Sequence, residues 1–355
     1  MSRELLAGGA TSEEERAQEA TLRPQRLLEF VGQRAIKGQL QTMLSAAKRR
    51  AEPLDHVLFY GPPGLGKTTL AQIIASEMGT DLRITSGPAV DHQGVLGSIL
   101  TGLNTGDIFF VDEIHRLNRT VEEALYPAME DFAFDVVAGK GPGAQAIRLD
   151  LLQFTVVGAT TKAGALSKPF RDRFGATFRL DFYEVDELCQ IIQRSAALIG
   201  VTVQEQAATL IAARSRGTPR VANRLLRRVR DHAEVHGTGV IDEAAAAEGL
   251  GVLGIDDIGL DDMDRRVLQT LCQVYAAQAV GVQTIAVSLH EDPGTVEDVV
   301  EPFLMRCGLM VRTKQGRMAT AGAYRRLGLE VPAGVPGAQV PGQRQVTLDG
   351  LEAAG

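Results

Sequence analysis

The stretch GPPGLGKT at 61–68 satisfies the spacing G-x-x-x-x-G-K-[ST]. A β-rich apolar run, HVLFY, precedes it and a helical run, TTLAQIIASEM, follows it. That strand–loop–helix context is what a phosphate-binding loop requires. Gly64 and Gly66 let backbone amides approach a phosphate. Lys67 supplies positive charge, the Thr68 hydroxyl can ligate Mg²⁺, and Thr69 continues into the helix. The expected ligand is a nucleoside triphosphate or its diphosphate product.

Two further strand ends carry polar groups. DIFFVDE at 107–113 is an apolar run closing on two carboxylates. Asp112 can hold Mg²⁺, directly or through water, and Glu113 can polarise an attacking water. A strand end that merely caps a helix would look similar, but the phosphate loop upstream favours chemistry. A pure binder has no need of Glu113. FTVVGATT at 154–161 ends in two threonines. Polar groups at the carboxyl edge of a parallel sheet sit where ligands bind. Thr160 or Thr161 can reach the γ-phosphate or the attacking water; the competing role is a plain helix N-cap.

KPFRDRFG at 168–175 adds two arginines in a segment past that strand. An arginine fork stabilises charge on a transferring phosphoryl group, with effects of about 10³–10⁵ in rate. Pro169 and Gly175 bracket a loop able to present Arg173 to an adjacent subunit's nucleotide, which implies a ring. Arg171 is assigned to local pairing with Asp172, Asp181 or another acid.

These groups need a scaffold. From about Leu27 to Tyr183 short β-rich runs alternate with helical stretches, a βαβ pattern that implies a parallel sheet. From about Glu184 to Gly254 the periodicity is helical. In RLLRRVRD, Leu225, Leu226 and Val229 form a core face, and the arginines cover the other face and a subunit interface. LGIDDIGLDDMD reads as a linker to a third unit, which ends in two β-like runs around MVRTKQGRMAT. Residues 1–20 read as disordered, and the Pro/Gly-rich segment 332–355 as a flexible tail.

The chain has 355 residues, 45% hydrophobic and 23% charged, with a net charge of −7. Any nucleic-acid contact must come from local basic residues. From Pro302 to Leu329 there is no Asp or Glu, and Arg306, Arg312, Lys314, Arg317, Arg325 and Arg326 fall in that stretch. Arg312 and Arg317, on or beside a hairpin, are the candidate phosphate contacts to DNA. Three cysteines without close spacing imply neither a disulfide framework nor a zinc site. No apolar leader and no run long enough to span a membrane is found, so a cytoplasmic location is expected.

The order of phosphate loop, DEIH, GATT, RDRFG and GTPR resembles the AAA+ ATPases. LRPQRLLEFVGQ (22–33), GPPGLGKTTLA (61–71), DEIHRLN (112–118), MEDF (129–132), GPGAQAIRLDL (141–151), GATTKAGALSKPFRDRFG (158–175), RGTPRVANRLLRRVRD (216–231) and EDVVEPFLMRCGLMVRTKQGRMAT (297–320) resemble the RuvB family, the bacterial Holliday junction branch-migration motors. The match runs from about Leu22 to Leu329. It implies an α/β fold: an AAA+ P-loop parallel sheet with helices over 21–183, a small helical lid at 184–254 and a winged-helix DNA-binding domain at 255–331. It implies that the nucleotide is ATP or its product ADP, that Leu22, Arg23 and Tyr183 lie near the adenine and that Arg220 reaches the phosphates in cis, with Arg216 the weaker candidate. Arg173 would act in trans. The implied assembly is a homohexamer on the double-stranded arms of a Holliday junction. RuvA would dock on the hairpin at 132–151, and RuvC would join them. The chain departs from the pattern at Lys162, where arginine is usual, and at Gln153, where proline is usual. Clamp-loader and replication-initiator ATPases of the AAA+ class are the alternatives.

Overall fold

The computed structural model describes residues 21–138 and 145–338. They fall into two compact units, divided between Gly249 and Leu250.

In the first unit, β1 (Val57–Tyr60), β2 (Leu82–Ser86), β3 (Ile108–Asp112), β6 (Thr155–Thr160) and β7 (Ala176–Arg179) form a five-stranded sheet in the order β2-β3-β6-β1-β7. Every pairing is parallel. The central strands β1, β3 and β6 are buried almost throughout, whereas edge strands β2 and β7 are partly exposed. That explains the unbroken apolar runs VLFY, IFFV and TVVGA: a strand covered on both faces has no polar side to show. The order also sets the site. β3, β6 and β1 are neighbours, so their carboxyl ends bring Asp112, Thr160 and Gly61 to one edge of the sheet.

Helices cover the sheet: α1 (Arg34–Arg50), α2 (Lys67–Met78), α3 (Gln93–Leu100), α4 (Arg119–Glu130) and the one-turn α5 (Lys168–Arg171). The side chain of Asn118 accepts from Val121 N and starts α4, and Ser167 does the same for α5 through Phe170 N. β4 (Ala133–Ala138) and β5 (Gln145–Asp150) pair as an antiparallel hairpin apart from the main sheet.

Four helices follow: α6 (Val185–Leu198), α7 (Glu205–Ala213), α8 (Pro219–His236) and α9 (Glu243–Val252). A reciprocal capping box between Glu184 and Glu187 starts α6. Pro219 in the first turn starts α8. Leu225, Leu226 and Val229 are fully buried, as their spacing predicts. The arginines of that helix do not all face outward, however. Arg224 is 1% exposed and Arg227 is also buried, whereas Arg228 and Arg230 pair with Asp231.

The second unit holds α10 (Asp262–Gln269), α11 (Val282–Leu289), α12 (Glu301–Arg306), the antiparallel hairpin β8 (Met310–Thr313) and β9 (Gly316–Ala319), and α13 (Ala321–Arg326). The segment read as a linker already ends in structure: Asp261 and Asp264 form the capping box of α10. The boundary of the tail is also corrected. Val335 is 4% exposed within this unit's core, and Pro336 O accepts from Ala321 N at 2.9 Å. Residues 332–338 therefore pack against the unit, because Val335 has apolar surface to bury there. The expectations for 1–20, for the hairpin tip at 139–144 and for 339–355 lie outside the described residues.

Candidate functional site

The phosphate loop leaves β1 through glycines at positive φ: Gly61 at 140°, Gly64 at 80° and Gly66 at 101°. Space as well as conformation demands them. A Cβ on Gly61 would lie 2.4 Å from Leu180 O, and one on Gly66 3.1 Å from the Phe30 ring. Lys67 follows at the head of α2 and is 8% exposed. Its ammonium donates to Gly61 O and Pro62 O, both at 2.8 Å. Burial lowers its pKa to about 8; Asp112 and Glu113 oppose that shift and Arg220 adds to it. Asp112, Glu113 and Arg220 are thus all close enough to act on the Lys67 charge. Thr68 is half-buried beside Lys67, and Thr69 is buried in the first turn.

Asp112 closes β3 and accepts from Glu113 N at 2.9 Å. Glu113 then takes φ 47°, a left-handed turn that directs the chain into the short helix Ile114–Arg116. Its carboxylate pairs with Arg116 at 2.9 Å. Gly87 makes this turn possible, since a Cβ there would lie 2.5 Å from Glu113 O. At the end of β6 the two threonines part company. Thr160 is 1% exposed, whereas Thr161 is exposed. The Thr160 hydroxyl accepts from Lys162 N at 2.9 Å and lies 3.0 Å from His115 Nδ1. Lys162 itself is exposed, as is Gln153, whose carbonyl accepts from Gly106 N at 2.7 Å.

Leu22, Arg23, Phe30, Gly66, Tyr183 and Pro219 line one pocket beside the loop. Leu22 O accepts from Arg194 Nη1 at 2.8 Å, which fixes the entering strand of chain against α6. Tyr183 Oη donates to Leu65 O at 3.1 Å, and burial pushes its pKa up. A Cβ on Gly32 would lie 2.7 Å from the Tyr183 ring, so this glycine admits the tyrosine. Ile191 and Arg194 on α6 and Asn223 on α8 also line the pocket and were not singled out in the sequence. The signal was their helical spacing next to residues that were. Arg220 enters from the second residue of α8, and its N lies 3.4 Å from Gly64 O. Arg216 is buried at φ 53°.

Arg173 is anchored within its own chain. Nη1 donates to Pro169 O at 2.7 Å, Nη2 pairs with Glu130 at 3.1 Å, and the guanidinium stacks 4.1 Å above the Tyr126 ring. Glu130 and Tyr126 lie one turn apart on α4, a spacing that marks one helix face.

The wing arginines differ from expectation. Arg312 is exposed and pairs loosely with Glu297 at 3.3 Å. Arg317 faces it across the hairpin but is 8% exposed, with Nη2 2.7 Å from the buried carboxylate of Glu301. Arg317 is thus withdrawn as a candidate phosphate contact: its charge is consumed inside the unit. On the other hairpin, Val136 and Ile147 are paired and both exposed. No helix among the described residues is long and apolar enough to cross a membrane.

Comparison with known proteins covers nearly the whole chain. Residues 22–180 match the family described as "Holliday junction DNA helicase RuvB P-loop domain". Residues 183–256 match "RuvB AAA lid domain", and residues 257–328 match "RuvB C-terminal winged helix domain". A Parafrankia sp. (strain EAN1pec) protein named "Holliday junction branch migration complex subunit RuvB" is 55% identical over 330 residues, 93% of this chain and 94% of its own. A Thermotoga maritima RuvB structure described as a Holliday junction branch migration motor superposes with a TM-score of 0.80 at 49% identity, covering 88% of this chain and 100% of that one. A mutant of the same protein gives 0.81 at 48% identity, covering 87% and 100%. A phosphate loop, a helical lid and a winged helix thus follow one another in a single family's order, and the chain belongs to the RuvB family.

Proposed function

We propose that this protein is an ATP-driven motor subunit that moves the branch point of Holliday junctions. The observation that carries this reading is a phosphate loop with Lys67 buried at its end, flanked by the strand end of Asp112 and Glu113 and met by the backbone of Arg220 at Gly64, in a chain that also holds a winged helix.

The loop amides and Lys67 bind the phosphates. Leu22, Arg23 and Tyr183 enclose the base. Thr68 and Asp112 supply a hydroxyl and a carboxylate, hard oxygen donors that suit Mg²⁺. No group of His, Cys, Asp or Glu among the described residues could hold a metal alone, so these two act together with nucleotide oxygens. When bound, Mg²⁺ neutralises charge on the phosphates. Glu113 orients and polarises the attacking water. Thr161, which is exposed, is the better candidate for the γ-phosphate or that water than Thr160, whose hydroxyl is already hydrogen-bonded within the protein. Arg220 approaches the phosphates in cis. Arg173, presented on Tyr126 and Glu130, completes the site of the neighbouring subunit, an effect of about 10³–10⁵ in rate for such arginines.

The assembly is a homohexamer with duplex DNA against the winged helices, where Arg312 contacts phosphates without reading bases. The β4–β5 hairpin, with Val136 and Ile147 exposed, is the docking site for RuvA, and RuvC joins the complex at the junction. The place of action is the cytoplasm.

A synthetic four-way junction with homologous arms, ATP–Mg²⁺ and this protein, with and without RuvA, tests the proposal. Separation into two duplexes, lost in Glu113→Gln, is the expected result. Junction binding without ATP-dependent strand movement, while duplex-stimulated hydrolysis persists, would favour a loader or initiator instead.

A further inference from the structure

Thr160 is a junction between the parts of the nucleotide site. Its carbonyl accepts from Gly61 N at 3.1 Å, the first residue of the phosphate loop. Its hydroxyl accepts from Lys162 N at 2.9 Å, one residue past Thr161. The same hydroxyl lies 3.0 Å from Nδ1 of His115, two residues past Glu113. A hydroxyl has one hydrogen and two lone pairs. Whichever tautomer the imidazole adopts, one hydrogen lies between Thr160 Oγ1 and His115 Nδ1. With both hydroxyl contacts made inside the protein and 1% exposed, Thr160 is engaged by the protein rather than by solvent.

The surrounding sequence builds this contact. β6 carries Gly158 where a Cβ would lie 3.0 Å from Ile114 Cδ1, so the strand admits the turn that bears His115. Gly87 admits the same turn from the other side, with a hypothetical Cβ 3.1 Å from Arg116 C. The Asp112–Arg116 segment is thus held between two glycines. His115 is the side chain that ties it to the end of β6.

We propose that His115 and Thr160 are positioning residues for hydrolysis. Their shared hydrogen fixes the turn carrying Glu113 relative to the strand end carrying Thr161, so that both groups address one water or phosphate oxygen. The inference rests on the hydrolysis reading of this site. It assigns Thr160 a role distinct from that of Thr161, although the two are adjacent. A group displaced by about 1 Å from its productive position can cost about 10²-fold in rate.

The test uses the full-length protein with duplex DNA. Steady-state ATP hydrolysis and binding of a fluorescent ATP analogue are measured for His115→Ala, His115→Asn, Thr160→Val, Thr160→Ser and His115→Ala/Thr160→Val. His115→Ala and Thr160→Val each lower kcat about ten- to a hundredfold while nucleotide affinity stays within about twofold. The double variant is no worse than either single one, since both remove the same tie. His115→Asn, which can place a polar atom near the Nδ1 position, and Thr160→Ser, which keeps the hydroxyl, recover most of the rate. Multiplying losses in the double variant would overturn the proposal, as would a loss confined to KM. If Thr160→Val fails to fold, the Asn and Ser variants decide: no recovery over Ala at position 115 overturns it. Glu113→Gln separates the two levels. Normal turnover in Glu113→Gln removes the hydrolysis reading itself, whereas an inactive Glu113→Gln beside a fully active His115→Ala removes only the tie.

Discussion

Arg317 Nη2 lies 2.7 Å from Glu301 Oε2, and neither side chain is more than 8% exposed. This buried pair fixes the β8–β9 hairpin to α12. Removing one partner of a buried pair costs up to about 3–5 kcal/mol, and without Glu301 Arg317 keeps only the partly exposed Glu297 at 3.3 Å. Glu301→Ala is therefore expected to lower the unfolding midpoint of the C-terminal unit clearly in a denaturant titration. Glu301→Leu combined with Arg317→Met is expected to recover most of that loss.

Arg312, exposed on the same hairpin, has the opposite signature. Arg312→Ala costs little stability, because Arg312 is itself exposed, its contacts with Glu297 and Glu301 are long at 3.3 and 3.6 Å, and such pairs contribute about 0–1 kcal/mol. Duplex affinity falls about equally for all sequences, and the slope of log K against log salt decreases by about one. Binding isotherms at several salt concentrations check this. A sequence-dependent change would contradict a pure phosphate contact.

The lowered pKa of Lys67, about 8, gives nucleotide binding a pH dependence. Phosphate oxygens favour the ammonium form. Below pH 8 the lysine is already charged, so affinity is flat in pH on its account. Above pH 8 binding must take up a proton, and affinity falls as pH rises. Calorimetry in buffers of different ionisation enthalpy reads that uptake. Lys67→Arg abolishes it, since arginine stays protonated.

If Arg173 acts in trans, Lys67→Ala and Arg173→Ala proteins are each expected to be inactive, yet rings mixed from the two would contain some sites with both residues intact. Mixing is expected to restore part of the ATPase. No recovery would place Arg173 in its own subunit's service. Glu130→Ala releases the cradle and lowers kcat with Arg173 intact, and it adds nothing to Arg173→Ala.

The contact of Val335 with the core of the C-terminal unit predicts different outcomes for two truncations. A chain ending at residue 331 loses the Val335 side chain and the Pro336 carbonyl that caps Ala321. It melts lower than a chain ending at residue 338, by an amount typical of a buried valine, about 1.5–3 kcal/mol.

Much of this molecule was legible from local pattern. Strands buried on both faces announce themselves as VLFY and IFFV, and a phosphate loop must be rich in glycine. What the sequence hid depends on partners far along the chain. Arg317 and Arg312 look alike in MVRTKQGRMAT. The two lie opposite each other on one face of the hairpin and both reach Glu297 and Glu301; they differ in depth, Arg317 buried against Glu301 and Arg312 exposed. Thr160 and Thr161 differ by strand alternation, and nothing in GATT says which one meets His115. The Pro/Gly content of 332–338 pointed to flexibility, but one valine with a core to enter outweighs composition. Arg173 was legible as a cation on a loop, and its cradle was not, because Tyr126 and Glu130 lie on a helix some forty residues earlier.

The Arg220–Gly64 backbone contact places the start of an 18-residue helix directly on the phosphate loop. At about 1.5 Å per residue that helix is about 27 Å long. It is a rigid rod with its near end resting on the nucleotide site. A tilt of about 5° imposed there moves its far end by about 2 Å. A helix so placed would turn a small rotation at the phosphate loop into a displacement at the opposite end of the lid.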